Sequence, residues 1–185
     1  MTPGVHLLTD YLTRSRYLVY PGEISCGRYE TPHTPYRLVD AAAYRDGRFY
    51  AFEYKSSGDP VSNAVRQVEN YGKSFDYVLL VLEVPRKGRY GFSLTLKRGK
   101  RIYEILRCGV GVWALSKNST GREYRIQEIA KARLQRPNHL NRDFIRKTFT
   151  QHFKKDALTK PEYNPRQRQL GQWLTRAHLS AGCSV

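Results

Sequence analysis

Asp40, Glu53 and Lys55 are the residues whose types and spacing could do chemistry. Asp46-Gly47 is a strong hairpin signal between two strand-like runs, 36–44 and 48–56. With that dipeptide at the turn, Arg45 faces Arg48, and counting outward pair by pair puts Asp40 across from Glu53. The count makes this a non-hydrogen-bonded pair, the kind whose Cα atoms lie ~4.5 Å apart. Two opposed carboxylates repel each other and destabilise a sheet. A divalent cation between them removes the conflict, and carboxylate oxygens are the hard ligands that Mg2+ (or Mn2+) takes, with water completing the shell. Alternation puts Lys55 on the same face, one pleat beyond Glu53, where an ammonium can hold a water or a phosphate oxygen. The neighbours on that face, Ala42, Tyr44, Phe49 and Ala51, resemble a core, and Tyr50, Phe52 and Tyr54 supply a second packing face. The alternative is an ordinary surface hairpin in which Lys55 simply pairs with Glu53.

The elements that must position these groups follow from periodicity. Leu7, Leu8, Tyr11, Leu12, Ser15, Leu18 and Val19 recur at helical spacing up to Pro21-Gly22, and a short strand is expected over 24–29. Asp59-Pro60 predicts a helix start, with Asp59 as N-cap. Val61, Ala64, Val65 and Val68 form that helix's buried stripe, ending near Gly72. Gln67 and Tyr71, four apart, share a face beside Ala64. Taken alone, Gln67 reads as a half-exposed helix residue and Tyr71 as a core aromatic. Residues 75–84 predict a strand buried on both faces, 92–96 a short strand, 102–107 a short helix, and 109–115 an apolar strand. Its Gly109-Val110-Gly111-Val112 run belongs in the sheet rather than around a phosphate, and Trp113 and Trp173 read as packing residues. The fold class is therefore α/β, a mixed central sheet flanked by helices.

Composition changes after residue 116. Residues 117–185 carry 15 Lys+Arg against 5 Asp+Glu, and helices are expected over 124–134, over 142–155 after Asn141, and over 166–179 with Leu170, Trp173, Leu174 and Ala177 on one face. The expected organisation is a core over 1–116 and a basic helical extension over 117–185.

With 32 Lys+Arg against 16 Asp+Glu, the chain carries +16. That charge attracts polyanions, and nucleic acid, the commonest of them, is the expected partner, with the basic extension over 117–185 contacting it. Arg86, Lys87, Arg89, Lys97, Arg98, Lys100 and Arg101 cluster in one connection, and Arg146 and Lys147 add to the basic surface. Such side chains give sequence-independent, salt-sensitive affinity for phosphates. Hydrophobic residues at 40% exclude a wholly disordered basic tail. The longest strongly apolar run, 77–84, is broken by Glu83 and falls far short of the ~20 residues that span a bilayer. No membrane partner is expected. Nor is there a basic region leading into a long apolar stretch, so no signal peptide is expected. Cys26, Cys108 and Cys183 lie far apart without a CxxC pair, and the five histidines are scattered. Reduced thiols in a cytoplasmic setting are the expectation.

Val39-Asp40 on one strand and Glu53-Tyr54-Lys55 on the next resemble the signature of the PD-(D/E)XK nuclease superfamily. Gln67-Val68-Glu69-Asn70-Tyr71 is similar to the QxxxY motif of its RecB-like members, and the element order over residues 4–115 resembles that restriction-endonuclease-like fold. The resemblance implies that Asp40 and Glu53 bind Mg2+ with the backbone carbonyl of Tyr54 as a further ligand. Lys55 would orient or deprotonate the attacking water, and Gln67 and Tyr71 would position the substrate backbone or support the lysine. The implied reaction is metal-dependent hydrolysis of a DNA phosphodiester bond. Two positions depart from the pattern: Val39 stands where a proline often precedes the aspartate, and the usual first-helix acid has no obvious counterpart. Asp10 is the only acid in that segment, with Glu23 and Glu30 as rivals. A structure-selective endonuclease resembling Holliday-junction resolvases, which would act as a homodimer rather than a monomer, and a non-catalytic DNA-binding protein that keeps the fold are the alternatives.

Overall fold

The computed structural model describes residues 2–26, 38–84, 99–117, 124–153 and 158, without the side chains of 99–101. Helix α1 (Pro3–Arg14) starts where Thr2 accepts the Val5 amide and Pro3 needs no amide partner. The helical spacing expected to run on to Val19 stops at Arg14. Arg16 adopts a positive φ of 63°, and the chain turns into β1 (Leu18–Val19), which pairs with Tyr44 and Ala43. Leu18 and Val19 therefore satisfy the sheet edge rather than the helix stripe.

Strand β2 (Ile24–Ser25) pairs with β3 (Leu38–Val39) as a small separate ribbon. Strands β4 (Ala41–Arg45) and β5 (Arg48–Lys55) form the expected hairpin, with Asp46 at φ 51° and Gly47 at φ 78° making a turn in which both central residues are left-handed. Its register pairs Arg45 with Arg48 and continues to Ala41 opposite Phe52. Helix α2 (Ser62–Tyr71) follows, three residues after the expected cap. Asp59 instead accepts the Ser56 amide at 2.8 Å, a local turn that directs its carboxylate back to the residues before it.

Strand β6 (Tyr77–Val84), helix α3 (Gly99–Arg107) and strand β7 (Gly111–Lys117) complete a parallel β5–β6–β7 centre. The six-stranded sheet has the order β1-β4-β5-β6-β7-β8, antiparallel at both ends. Gly111 is required where it stands, because a Cβ there would lie 2.7 Å from the Ala132 amide nitrogen.

Residues 124–130 correct a helix expectation. They form strand β8 (Tyr124–Ala130), antiparallel to β7, with a register shift between Val112 and Trp113 that leaves Ile129 as the extra residue. Tyr124 and Ile126 pack with one core and Ile129 and Ala130 with the other, so the bulge resets the alternation. The resulting 126–129–130 spacing mimics a helix. Helix α4 (His139–His152) begins earlier than expected, with Asn138 rather than Asn141 as its cap. Its Ile145 and Phe149 are fully buried in the main core, so the described part of 117–185 contributes a strand and a helix to the same body as residues 1–116. The strand expected over 92–96 and the helix over 166–179 lie outside the described residues.

The sheet has a core on each face. α1 covers one through Val5, Leu8 and Leu12 against Phe52, Tyr54, Val81 and Trp113. α2, α3 and α4 cover the other through Val68, Tyr71, Ile105 and Phe149 against Phe49, Ala51, Leu80 and Leu82. Trp113 packs edge-on to Tyr11 and tilted against Phe52, as a packing residue does. No helix among the described residues is long and apolar enough to cross a membrane.

Candidate carboxylate site at the ends of the parallel strands

The C-terminal ends of β5 and β6 open into a cavity of about 740 Å³, the position where sheets with parallel centres usually bind ligands. Asp40, Glu53, Lys55 and Gln67 all line it. Asp40 is placed differently from the hairpin count, which had it within the ladder. The chain leaves the ladder one residue early, because Val39 pairs with Ile24 of β2. Asp40 then uses its side chain where the backbone would have bonded, and its Oδ2 accepts the Tyr54 amide at 2.8 Å. In an extended strand a residue's N–H and C=O point to the same edge. The Tyr54 carbonyl therefore faces the side from which Asp40 approaches.

Burial and then the Glu53 charge push the Asp40 carboxyl up to about 6, against the opposing pull of the Tyr54 amide and Lys55. Glu53 is 1% exposed. Its Oε1 accepts Lys55 Nζ at 2.6 Å and its Oε2 accepts the Tyr71 hydroxyl at 2.7 Å. Lys55 Nζ also donates to Gln67 Oε1 at 3.1 Å. The four residues Glu53, Lys55, Gln67 and Tyr71 thus form one hydrogen-bonded chain, with α2 supplying two members at helical spacing. The Tyr71 hydroxyl also lies 2.7 Å from the Leu38 carbonyl. Burial and the Glu53 charge raise its pKa far above the usual phenol value, so it stays a donor shared between two acceptors. An ammonium has three donors and Lys55 uses two of them here, leaving one for the cavity.

Asp10 is not part of this site. It is exposed on α1 and pairs with Arg14 at 2.8 Å, because Gly4, Val5, Leu8 and Leu12 are the residues that α1 buries. Of its rivals, Glu23 lines the cavity and adds to the repulsion on Asp40, while Glu30 lies outside the described residues. Glu83, Asp59 and Tyr124 also line the cavity and were not expected there from sequence. For Glu83 the signal was present, as the one charge interrupting the apolar run of β6. Its carboxylate accepts the Tyr54 hydroxyl, and Gly4 of α1 lies so close to that ring that a Cβ would overlap it.

Among the described residues no three His, Cys, Asp or Glu side chains are grouped to hold a metal ion. The donor set is two carboxylates and a strand carbonyl. That fits Mg2+, which usually keeps several waters and takes one or two protein carboxylates plus substrate oxygens. The repulsion between Asp40 and Glu53, offset only in part by Lys55 and the Tyr54 amide, is the feature a cation would relieve.

The predicted DNA-contacting residues divide three ways. Arg146 and Lys147 are exposed on α4. Lys100 and Arg101 belong to α3, but their side chains lie outside the described set, as do Arg86, Lys87, Arg89, Lys97 and Arg98 entirely.

No family model matches this chain, and no curated protein matches it. Two solved structures are weakly similar. One is a protein of unknown function, AF1548, with TM-score 0.34 and 13% identity over 52% of this chain and 53% of the other. The second is SfsA of Pyrococcus furiosus in complex with Ca2+, with TM-score 0.35 and 11% identity over 69% of this chain and 59% of the other. The chain spans little more than half the length of either.

Proposed function

We propose that this protein is a metal-dependent DNA nuclease of the PD-(D/E)XK type, hydrolysing phosphodiester bonds at the Asp40–Glu53 cavity. The observation that carries the reading is the continuous Glu53–Lys55–Gln67–Tyr71 hydrogen-bonded chain beside Asp40 in one cavity. An isolated surface ion pair would need neither a buried glutamate nor two further partners from α2.

Asp40, Glu53 and the Tyr54 carbonyl would hold Mg2+ or Mn2+, which supplies Lewis acidity at the scissile phosphate and lowers the pKa of water. Tyr71 fixes the Glu53 carboxylate from behind, and its retained proton keeps that oxygen directed. Lys55 directs its remaining N–H into the cavity, where it orients the attacking water or offsets charge on a phosphate oxygen. Gln67 holds Lys55 through its carbonyl oxygen, which leaves its NH2 donors for the substrate backbone.

The test is incubation with linear, circular, single-stranded and four-way-junction DNA in Mg2+, Mn2+ or EDTA, beside Glu53→Gln and Lys55→Ala. Cleavage by the wild type alone, abolished by EDTA, is expected. Equal cleavage by all three proteins overturns the assignment. A non-catalytic DNA-binding protein is the second reading, favoured by the lack of a third grouped metal ligand among the described residues. It predicts DNA binding unchanged by EDTA and no cleavage of any substrate.

A further inference from the structure

The carboxylate cavity is a poor place for a polyanion to dock. Glu23, Asp40, Glu53, Asp59 and Glu83 line it against Lys55 as the one lining cation among the described residues. If phosphate-bearing chains reach this site, the binding energy must come from surfaces elsewhere.

Such a surface lies at the opposite end of the sheet. Residues 131–138 are neither helix nor strand, yet backbone bonds pin them firmly. The Arg133 amide donates to the Gly109 carbonyl at 2.8 Å, Gln135 to Asp76 at 2.8 Å, and Asn138 to Lys73 at 2.9 Å. The Gln135 side chain turns inward and donates to the carbonyls of Cys108 and Gly109. With Gln135 facing in, Arg133 and Arg136 are exposed on the outer side.

The segment crosses the C-terminal ends of α2 and α3, where Lys73 and Arg107 are also exposed. Those two have a local purpose, since cations offset the negative end of a helix dipole. Arg133 and Arg136 sit on no helix end. Glu69 and Glu104 stand near Cys108, whose thiol, a neutral donor, contacts Glu69 at 3.6 Å, and Asp76 is buried against Arg48 and Arg142. Four cations, Lys73, Arg107, Arg133 and Arg136, outnumber the Glu69 and Glu104 carboxylates, and an external polyanion would relieve the remaining repulsion.

We propose that Arg133 and Arg136, flanked by Lys73 and Arg107, form a second contact for the DNA phosphate backbone, remote from the cavity. The proposal takes its partner from the function proposed above and adds where the affinity resides. β6 separates Asp76 from the cavity by 8 residues, about 25 Å at ~3.3 Å per residue. A duplex reaching both ends must therefore cover roughly eight base pairs at 3.4 Å each. Leu134, 51% exposed between the two arginines, would also suit an anionic lipid surface.

The experiment is fluorescence anisotropy with a labelled duplex of about 24 base pairs, in EDTA and across a KCl series, so that binding is read without cleavage. Arg133→Gln/Arg136→Gln is compared with wild type and with the charge-matched Arg14→Gln/Arg16→Gln, at the last residue of α1 and in the turn after it. The ridge variant is expected to bind on the order of tenfold more weakly at moderate salt, with a log–log salt slope shallower by about 1.8. The control should stay near wild type. A ridge variant indistinguishable from the control overturns the proposal. So does one that keeps DNA affinity but loses binding to phosphatidylserine vesicles. A separate Mg2+ cleavage assay on the same proteins reports on the nuclease reading, so the two can fail independently.

Discussion

Asp40 accepts the Tyr54 amide, yet burial and the facing Glu53 charge push its carboxyl up to about 6 from 3.8. The folded state therefore holds a proton that the unfolded chain has lost between those values. The associated stability is complete below about pH 4 and is lost as the pH rises through 6. Asp40→Asn keeps an acceptor for Tyr54 and removes the charge. It should be more stable than wild type at pH 8 by about 1–3 kcal/mol and nearly equal at pH 4, read from urea unfolding at both values. Added Mg2+ should raise the wild-type melting temperature at pH 8 and leave the variant unchanged. Tyr71→Phe removes the donor behind Glu53 and should cost about 1–3 kcal/mol. Metal affinity should fall on the order of 10–100-fold, measured by calorimetric titration. At this scale the hairpin was legible because a two-residue turn fixes register over several pairs. The exit of Asp40 from the ladder was not, since it depends on Val39 pairing with Ile24, a partner distant in sequence. Asp10 could have been set aside from spacing alone, because it lies off the Val5–Leu8–Leu12 face of α1.

Elements were most legible where one periodicity ran without interruption. β6 is apolar on both sides and proves buried on both, and α2 carries Ala64, Val68 and Tyr71 inward with Gln67 at its edge. Two of the misreadings share a cause, in that tertiary pairing overrode local spacing. Leu18 and Val19 continued a helical pattern but serve the sheet edge, and the β8 bulge made a strand look helical. Between elements, Asp76 is the principal tie. Buried just before β6, it accepts the Phe49 amide at 2.9 Å and pairs with Arg48 and with Arg142 of α4. Asp76→Ala should cost about 3 kcal/mol. Its hydrogen exchange should quicken over 139–152 before it does so in β6, because α4 loses an anchor that β6 does not need. Uniform quickening across both elements would contradict that order.

At the scale of the whole molecule, charge is divided by place. The cavity gathers 5 carboxylates around Lys55 in a chain that carries +16 overall. The net charge was legible from composition, whereas its segregation was not, because Glu23, Asp59 and Glu83 reach the cavity only through the path of the fold. This division suits an enzyme that draws in a polyanion with its outer surface and keeps an acidic centre for a cation. It would poorly suit a protein that only holds DNA, for which an acidic cleft opposes binding. The most direct test is cleavage of a labelled duplex as Mn2+ is titrated into wild type, Glu53→Gln and Lys55→Ala, with bound Mn2+ followed by electron paramagnetic resonance in the same samples. Wild-type cleavage should rise with bound Mn2+, Lys55→Ala should bind the ion yet cleave at least about a hundredfold more slowly, and Glu53→Gln should lose both. Cleavage by Glu53→Gln at the wild-type rate, or wild-type protein that binds no Mn2+ and leaves the duplex intact, would contradict a metal-dependent nuclease built on Asp40 and Glu53.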